Sequence, residues 1–318
     1  MSHDRSPRPV DVRVQAQRDG VSGRVALTLP KGWSSVPPSA TVTLAKSGDE
    51  TRVRFSVTPG EGPAAAELSA GITVGTRTWS YRLERLDYPH IPMQALHPRA
   101  TARLVRADIR KTGTRVAYIE GSGDAIPAAL RQLGYEVTPL TDDDLEDADL
   151  SRFETIVTGV RAYNTRPRLR AAQPRLLEWV AAGGTLIVQY NTTGDGPLGE
   201  LGPFPFSISR DRVTDETAEV KMVAAGHPLL ARPNAIGPAD FAGWVQERGL
   251  YFANPADPRY ERVLACKDPG EAERDGGLLY ARHGKGVFVY CAYAMFRQLP
   301  AGVPGAWRLF ANLVSARP

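Results

Sequence analysis

"RVAYIEGSGDAIPAALRQLGYEVTPL" (115–140) reads as an apolar strand broken at Gly121 and Gly123, a helix over 125–135 and a second short strand, "EVTPL". Pro127 suits the first turn of that helix, where no intrahelical N–H bond is lost, and Gly134 suits its end. The alternation continues downstream. "TDDDLEDADLSRF" (141–153) is an acidic connector with a helical turn, and "ETIVTGVRAYN" (154–164) is a third strand running into a polar loop. "RLRAAQPRLLEWVAAGG" (168–184) sets Leu169, Leu176, Leu177 and Val180 on one helical face before Gly183 and Gly184 stop it. "TLIVQYN" (185–191) is a fourth strand. The order is β-α-β-β-α-β. Strands apolar through their whole length and separated by helices predict a parallel sheet covered on both faces, and such sheets bind ligands beyond the carboxyl ends of their strands.

The polar residues of this half collect at those ends. Glu120, Ser122 and Asp124 follow the first strand; Arg161, Tyr163 and Asn164 follow the third; Gln189 and Asn191 close the fourth. A Gly/Pro-rich excursion from 192 brings Arg210, Arg212 and His227, and "GWVQERG" (243–249) would set Trp244, Glu247 and Arg248 on one face if helical. "LLYARHGKGVFVYC" (278–291) reads as a hairpin turning at His283–Gly286, Arg297 and Gln298 follow its second strand, and a terminal helix starts near Gly305. Guanidinium groups beside carboxylates and hydroxyls suit a sugar or carboxylate ligand, because the arginine fork bonds at two points at once. Arg161, Arg210 and Arg248 could equally hold Asp211, Glu247 and Asp124 in ion pairs that pin loops. "GSGD" (121–124) lacks the spacing of a dinucleotide fingerprint, and His283–Gly286 is not followed by a helix that would cradle phosphate.

Residues 10–86 differ in period. "VDVRVQAQ", "GRVALTLP", "ATVTLA", "TRVRFSVTP", "ELSAGITVG" and "TRTWSYRLERL" alternate apolar and polar side chains between Gly, Pro and Asp punctuation, the pattern of an antiparallel β-sandwich. "DYPHIPMQALHPRA" (87–100) holds three prolines without periodicity and reads as a linker or docking strap, its His90 and His97 unsuited to a metal. The organisation expected is a sandwich over 1–87, a Pro-rich linker over 88–108 and an α/β domain over 109–318.

Composition bounds the rest. At 318 residues and 42% hydrophobic the chain can bury two cores. Residues 1–100 hold 13 Lys+Arg against 9 Asp+Glu, and the remainder 26 against 26, so the larger part is neutral and a nucleic-acid partner is not expected. No apolar run approaches the ~20 residues that cross a bilayer. "MSHDRSPRPVDV" lacks the apolar core of a secretory signal, which predicts a cytoplasmic protein as written, exported or periplasmic if the sequence is a piece of a longer one. Cys266 and Cys291 make neither a disulfide framework nor a metal motif and read as buried small hydrophobes; neither metal nor cofactor is expected.

"LPKGW" (29–33) followed by Pro37-Pro38 resembles the strand-end motif of NEW3-type, fibronectin-like modules of bacterial carbohydrate enzymes, with Trp33 either capping the core or stacking on sugar. "GGTLIVQYNT" (183–192), "HPLL" (227–230) and "HGKGVFVYCAYAMFRQ" (283–298), in this order, resemble the class I glutamine-amidotransferase-like fold in its ThuA-like branch, a flavodoxin-like arrangement. With "YPHIP" (88–92), "GDAIPAALRQLGYEV" (123–137), "VTGVRAYNTRPRL" (157–169), "PFPFSISRDRVTDE" (203–216), "FAGWVQERGLYF" (241–252) and "FRQLPAGVPGAWRLFANL" (296–313), nearly the whole chain resembles the C-terminal extension of large bacterial PIG-L (LmbE-like) deacetylases. The zinc domain of those proteins carries a "PHPDD"-type motif that is absent here, so the resemblance places no deacetylase residue on this chain.

Glutaminase chemistry needs a cysteine on a strained strand-to-helix elbow with His and Glu partners. The order of the fold puts that elbow at the end of "TLIVQYN", where Tyr190 and Asn191 stand, and "HPLL" is not a His-x-Glu pair. The reading that follows is a non-catalytic accessory or carbohydrate-binding region, partnered by a PIG-L deacetylase domain or a glycan. The alternative is a hydrolase with His227 or Glu247 as general base and Arg161 or Arg297 stabilising an oxyanion. A purely structural spacer is the third reading.

Overall fold

Val53, Phe55 and Val57 point inward from one strand while Arg52 and Arg54 face out, and this two-residue period builds the N-terminal core. The computed structural model describes residues 6–62, 64–194 and 198–318; Met1–Arg5 of the opening segment and 195–197 of the excursion lie outside the described residues. The chain divides into two units, Met1–Asp108 and Ile109–Pro318. In the first, a sheet of Arg8–Gln15, Glu50–Thr58 and Ser34–Val36 accompanies a second of Thr101–Arg106, Ala64–Val74, Val21–Thr28 and Ser39–Leu44, with Arg77–Trp79 added to Ala64–Val74. All pairings are antiparallel. Val25, Val42, Val53, Phe55 and Val57 are buried together, and Trp33 packs against them.

The expected linker over 88–108 is part structure. Thr101–Arg106 pairs with Ala64–Val74, and Gln94–Leu96 pairs with Glu84–Leu86. Pro89, Pro92 and Pro98 all precede Thr101–Arg106, whose own six residues do not alternate strictly, but backbone pairing needs only one free edge, and Ala64–Val74 offers it.

The second unit is a seven-stranded sheet. Its strands are β1 (Arg115–Ile119), β2 (Glu136–Pro139), β3 (Thr155–Thr158), β4 (Thr185–Gln189), β5 (Glu261–Arg262), β6 (Leu278–His283) and β7 (Gly286–Cys291), in the order β2-β1-β3-β4-β7-β6-β5. The first five in that order are parallel; β6 runs antiparallel to β7, and β5 to β6. Every residue of β3, β4 and β7 is buried, as burial on both faces demands. Helices α1 (Ile126–Gln132), α2 (Pro167–Ala181) and α3 (Pro304–Val314) carry the apolar faces, and α2 lies against β4, β6 and β7. On α2, Leu169, Leu176 and Val180 are buried as expected; Trp179 is buried too, while Leu177 is half-buried. This is an antiparallel sandwich followed by a flavodoxin-like α/β unit.

The excursion after β4 is less of a loop than its Gly/Pro content implies. Phe206–Ile208 pairs with Ala253–Ala256, Arg212–Val213 with Gly249–Leu250, and Val220–Met222 with Leu264–Cys266. The β6–β7 hairpin turns through Gly284 at φ 58° and Lys285.

Close approach fixes the loop after β1 against the end of β3. A Cβ on Gly121 would collide with Val160 O and stand 2.8 Å from Ala162 N, both backbone atoms that cannot swing aside. Gly121→Ala is therefore expected to lower stability by roughly 1–3 kcal/mol, the usual range for overpacking. Chemical denaturation checks this; an unchanged midpoint would show that the loop moves freely.

Candidate functional site

Among the described residues only three besides glycine have positive φ: Arg161 (59°), Gln246 (67°) and Tyr251 (59°). A side chain in that region strains the backbone by about 1–3 kcal/mol, and such residues gather at functional sites. These three converge on the carboxyl ends of β3, β4 and β7. Arg161 N–H donates to Tyr190 O (2.9 Å) just past β4, and the Tyr190 ring stacks on Tyr251, with centroids 5.8 Å apart and planes at 8°. Phe296, beyond β7, lies 5.3 Å from Tyr190. The Arg297 guanidinium lies 4.8 Å over Phe296, and its Nε donates to Glu247 Oε1 at 2.5 Å. Burial raises the Tyr190 hydroxyl pKa, the charges of Arg161 and Arg297 oppose this, and Glu247 adds to it.

A one-residue turn aims Glu247. Its N–H donates to Val245 O at 2.8 Å around the left-handed Gln246. Gln298 holds this turn: its Oε1 accepts from Val245 N (2.8 Å), while its Nε2 donates to Val245 O (2.9 Å) and Glu247 O (3.3 Å). Gln298 is fully buried, so it is a clamp rather than the ligand contact expected of it. "GWVQERG" is not helical, because this turn needs a backbone no helix provides. Trp244 and Arg248 still meet, the guanidinium 5.5 Å over the indole. Arg248 is buried and donates to Ala218 O (2.9 and 2.7 Å) and Phe241 O (2.6 Å), which anchors the excursion.

The other expected site residues are mostly structural. Asp124 accepts from Tyr118 Oη (2.7 Å), Ile126 N (2.9 Å), Val160 N (3.1 Å) and Gln189 Nε2 (3.3 Å), tying the ends of β1, β3 and β4 together. Tyr163 is buried, its N–H bound to Asn191 Oδ1 (2.9 Å) and its hydroxyl to Gln173 (2.5 Å). Asn164 exchanges two hydrogen bonds with the Thr192 backbone (3.0 and 2.9 Å), and buried Asn191 donates to Gln189 O (3.0 Å). Glu120, Arg210 and Arg212 are exposed. Of the residues expected, Arg161, Glu247 and Arg297 belong to the rim. Tyr190 stands in the sequence reading only as the occupant of the elbow position, and Tyr251, Phe296 and Gln246 do not appear in it as site residues, because no periodicity marks a left-handed backbone or a stacked pair from loops distant in sequence.

The elbow is also elsewhere. β3 ends at Thr158, and in place of the polar loop expected after it the chain turns through left-handed Arg161 into a helical turn, Ala162–Thr165. That is the strand–strained turn–helix geometry of a nucleophile elbow, and it follows β3 rather than β4. Its residue is an arginine, which supplies no nucleophile. Both thiols are buried: burial pushes Cys266 up to about 11 and Cys291 up to about 12. No three His, Cys, Asp or Glu side chains among the described residues form a metal-ligating group.

His227 is not brought to the rim. Its Nδ1 accepts from Leu229 N (3.1 Å), capping Pro228–Ala231, and its ring meets Tyr280 of β6 edge-on at 4.7 Å. Its Nε2 is 3.5 Å from Glu261 Oε2 on β5, and no bond joins it to Glu247 or to the arginines expected to work with it.

No protein-family profile matches this chain, and no curated protein does. Among solved structures it is similar to the cold-adapted β-galactosidase of Rahnella sp. R3, with 17% identity over 65% of this chain and 32% of that one (TM-score 0.39). It is also similar to a putative GMP synthase protein of Thermoplasma acidophilum, with 7% identity over 64% and 94% (TM-score 0.39). PurLQS of Thermotoga maritima shows 12% identity over 64% and 98% (TM-score 0.39). The chain spans under a third of the β-galactosidases, 32% and 30% of their lengths. At these scores the likenesses say nothing about what this chain does. No helix among the described residues is long and apolar enough to cross a membrane.

Two outcomes follow from this geometry. Asp124→Ala leaves Val160 N and Ile126 N without their acceptor and is expected to cost about 2–4 kcal/mol, read by denaturant titration; a loss below ~0.5 kcal/mol would deny Asp124 its joining role. Burial holds the pKa of His227 below 6.5, against the pull of Glu261. The unfolded chain then takes the proton first on acidification, so the stability from neutral His227 is complete above pH 6.5 and is lost as the pH falls to the lowered folded value. His227→Asn keeps a capping oxygen and removes the titration. Its melting temperature is expected to vary less than wild type between about pH 7.5 and 5, and parallel curves would acquit the imidazole.

Proposed function

We propose that this chain is a non-catalytic, carbohydrate-binding accessory region that acts beside a PIG-L-type N-acetyl-sugar deacetylase domain, with its ligand at the rim beyond β3, β4 and β7. The observation that carries the reading is the convergence of three left-handed residues on one aromatic and cationic cluster. Stacked Tyr190 and Tyr251 offer π faces to the C–H face of a pyranose. Arg297 beside Glu247 offers donors next to an acceptor, which matches sugar hydroxyls that both donate and accept. An arginine at the elbow and two buried, protonated thiols support binding without covalent chemistry. Supporting the partnership is the ordered set of motifs that resembles the PIG-L extension, together with the missing zinc motif. For the hydrolase alternative, His227 bonds away from the rim, and Glu247 meets Arg297 but is held by it in an ion pair.

Calorimetric titration with N-acetylated and free amino-sugar oligomers, and mixing with a PIG-L domain, test the proposal. Tyr251→Ala and Arg297→Ala are each expected to weaken glycan binding by about tenfold or more. Full affinity in both variants would move the site elsewhere. Silence toward every glycan and toward the deacetylase domain would end the proposal.

A further inference from the structure

Glu84–Leu86 and Gln94–Leu96 form a two-stranded sheet of their own. A lone hairpin is marginal in water, and its open edges are templates for further pairing. Seven of the nine large hydrophobic side chains exposed among the described residues fall between positions 79 and 96. Trp79, Tyr81 and Tyr88 are 44%, 58% and 54% exposed. Those three rings alone leave roughly 300 Å² uncovered, the size of the largest patch on an ordinary monomer. Leu86, Ile91, Met93 and Leu96 enlarge it. The cations nearby are all arginine, Arg77, Arg82, Arg85 and Arg99, without a lysine from 77 to 99. Aromatic residues, methionine and arginine are what protein interfaces enrich, and lysine is what they deplete.

We propose that this hairpin docks on the same hairpin of a second copy of the chain. The charges choose that occupant. Arg85 and Asp87 are both exposed, two positions apart, and neither has an ion pair among the described residues; Glu84 is already held by Arg82 at 2.6 Å. One unpaired charge of each sign on one tip is self-complementary. About a two-fold axis Arg85 meets the partner's Asp87 while Asp87 meets the partner's Arg85, and the apolar side chains close between them. Leu86, Ile91, Met93 and Leu96 give a sugar nothing to hydrogen-bond.

Sedimentation equilibrium of the full chain over a wide concentration range tests this. A reversible dimer is expected. Tyr88→Ser with Met93→Ser raises its dissociation constant by about tenfold or more, with unchanged circular dichroism and melting. Asp87→Arg alone weakens association, and Arg85→Asp with Asp87→Arg restores it, because the swap rebuilds both pairs. A chain that stays monomeric throughout, or a dimer indifferent to both the apolar and the charge variants, overturns the proposal.

Discussion

One carboxylate joins the strand ends on which the candidate rim stands. Asp124 accepts from the β1 tyrosine Tyr118, from the first turn of α1, from the loop after β3 and from Gln189 of β4. Burial and the neighbouring Asp124 raise the Tyr118 pKa far above its ordinary value, so that hydroxyl remains a donor. Backbone groups at the ends of strands and helices lack ladder partners, and this carboxylate answers two of them, Val160 N and Ile126 N, together with two side chains. Gly121 makes this possible by letting the β1 loop lie on the backbone of Val160 and Ala162.

Once the strand ends are fixed, strain can be stored there. Arg161 is held left-handed by its bond to Tyr190 O and by the Tyr163–Asn191 and Asn164–Thr192 bonds that follow it. Gln246 is held by Gln298, and Tyr251 by its carbonyl, which accepts from Tyr290 Oη at 2.6 Å. Each left-handed residue is thus tied by hydrogen bonds that over-determine it, the condition under which strain persists. The result is a rim whose rings and charges are presented by rigid backbone.

The candidate residues divide along physical lines. Polar residues at strand ends were legible as a set, because apolar strands stop where they stop. Their roles were not. Asn164, Asn191, Gln298 and Asp124 carry the same chemistry as ligand-binding side chains, and only their distances show that their bonds are spent on the protein. Tyr251 escaped notice in a mixed stretch, and its partner Tyr190 lies 61 positions away in sequence.

By itself the sequence determined the layering. Period-two alternation over 10–86 and wholly apolar strands separated by helices left an antiparallel sandwich and a covered parallel sheet as the forms able to bury those side chains. Tertiary structure alone decided where the elbow falls, which residues form the rim, and that the proline-rich segment supplies a strand. Those outcomes depend on backbone dihedrals and on pairs distant in sequence, and neither leaves a period in the order of residues.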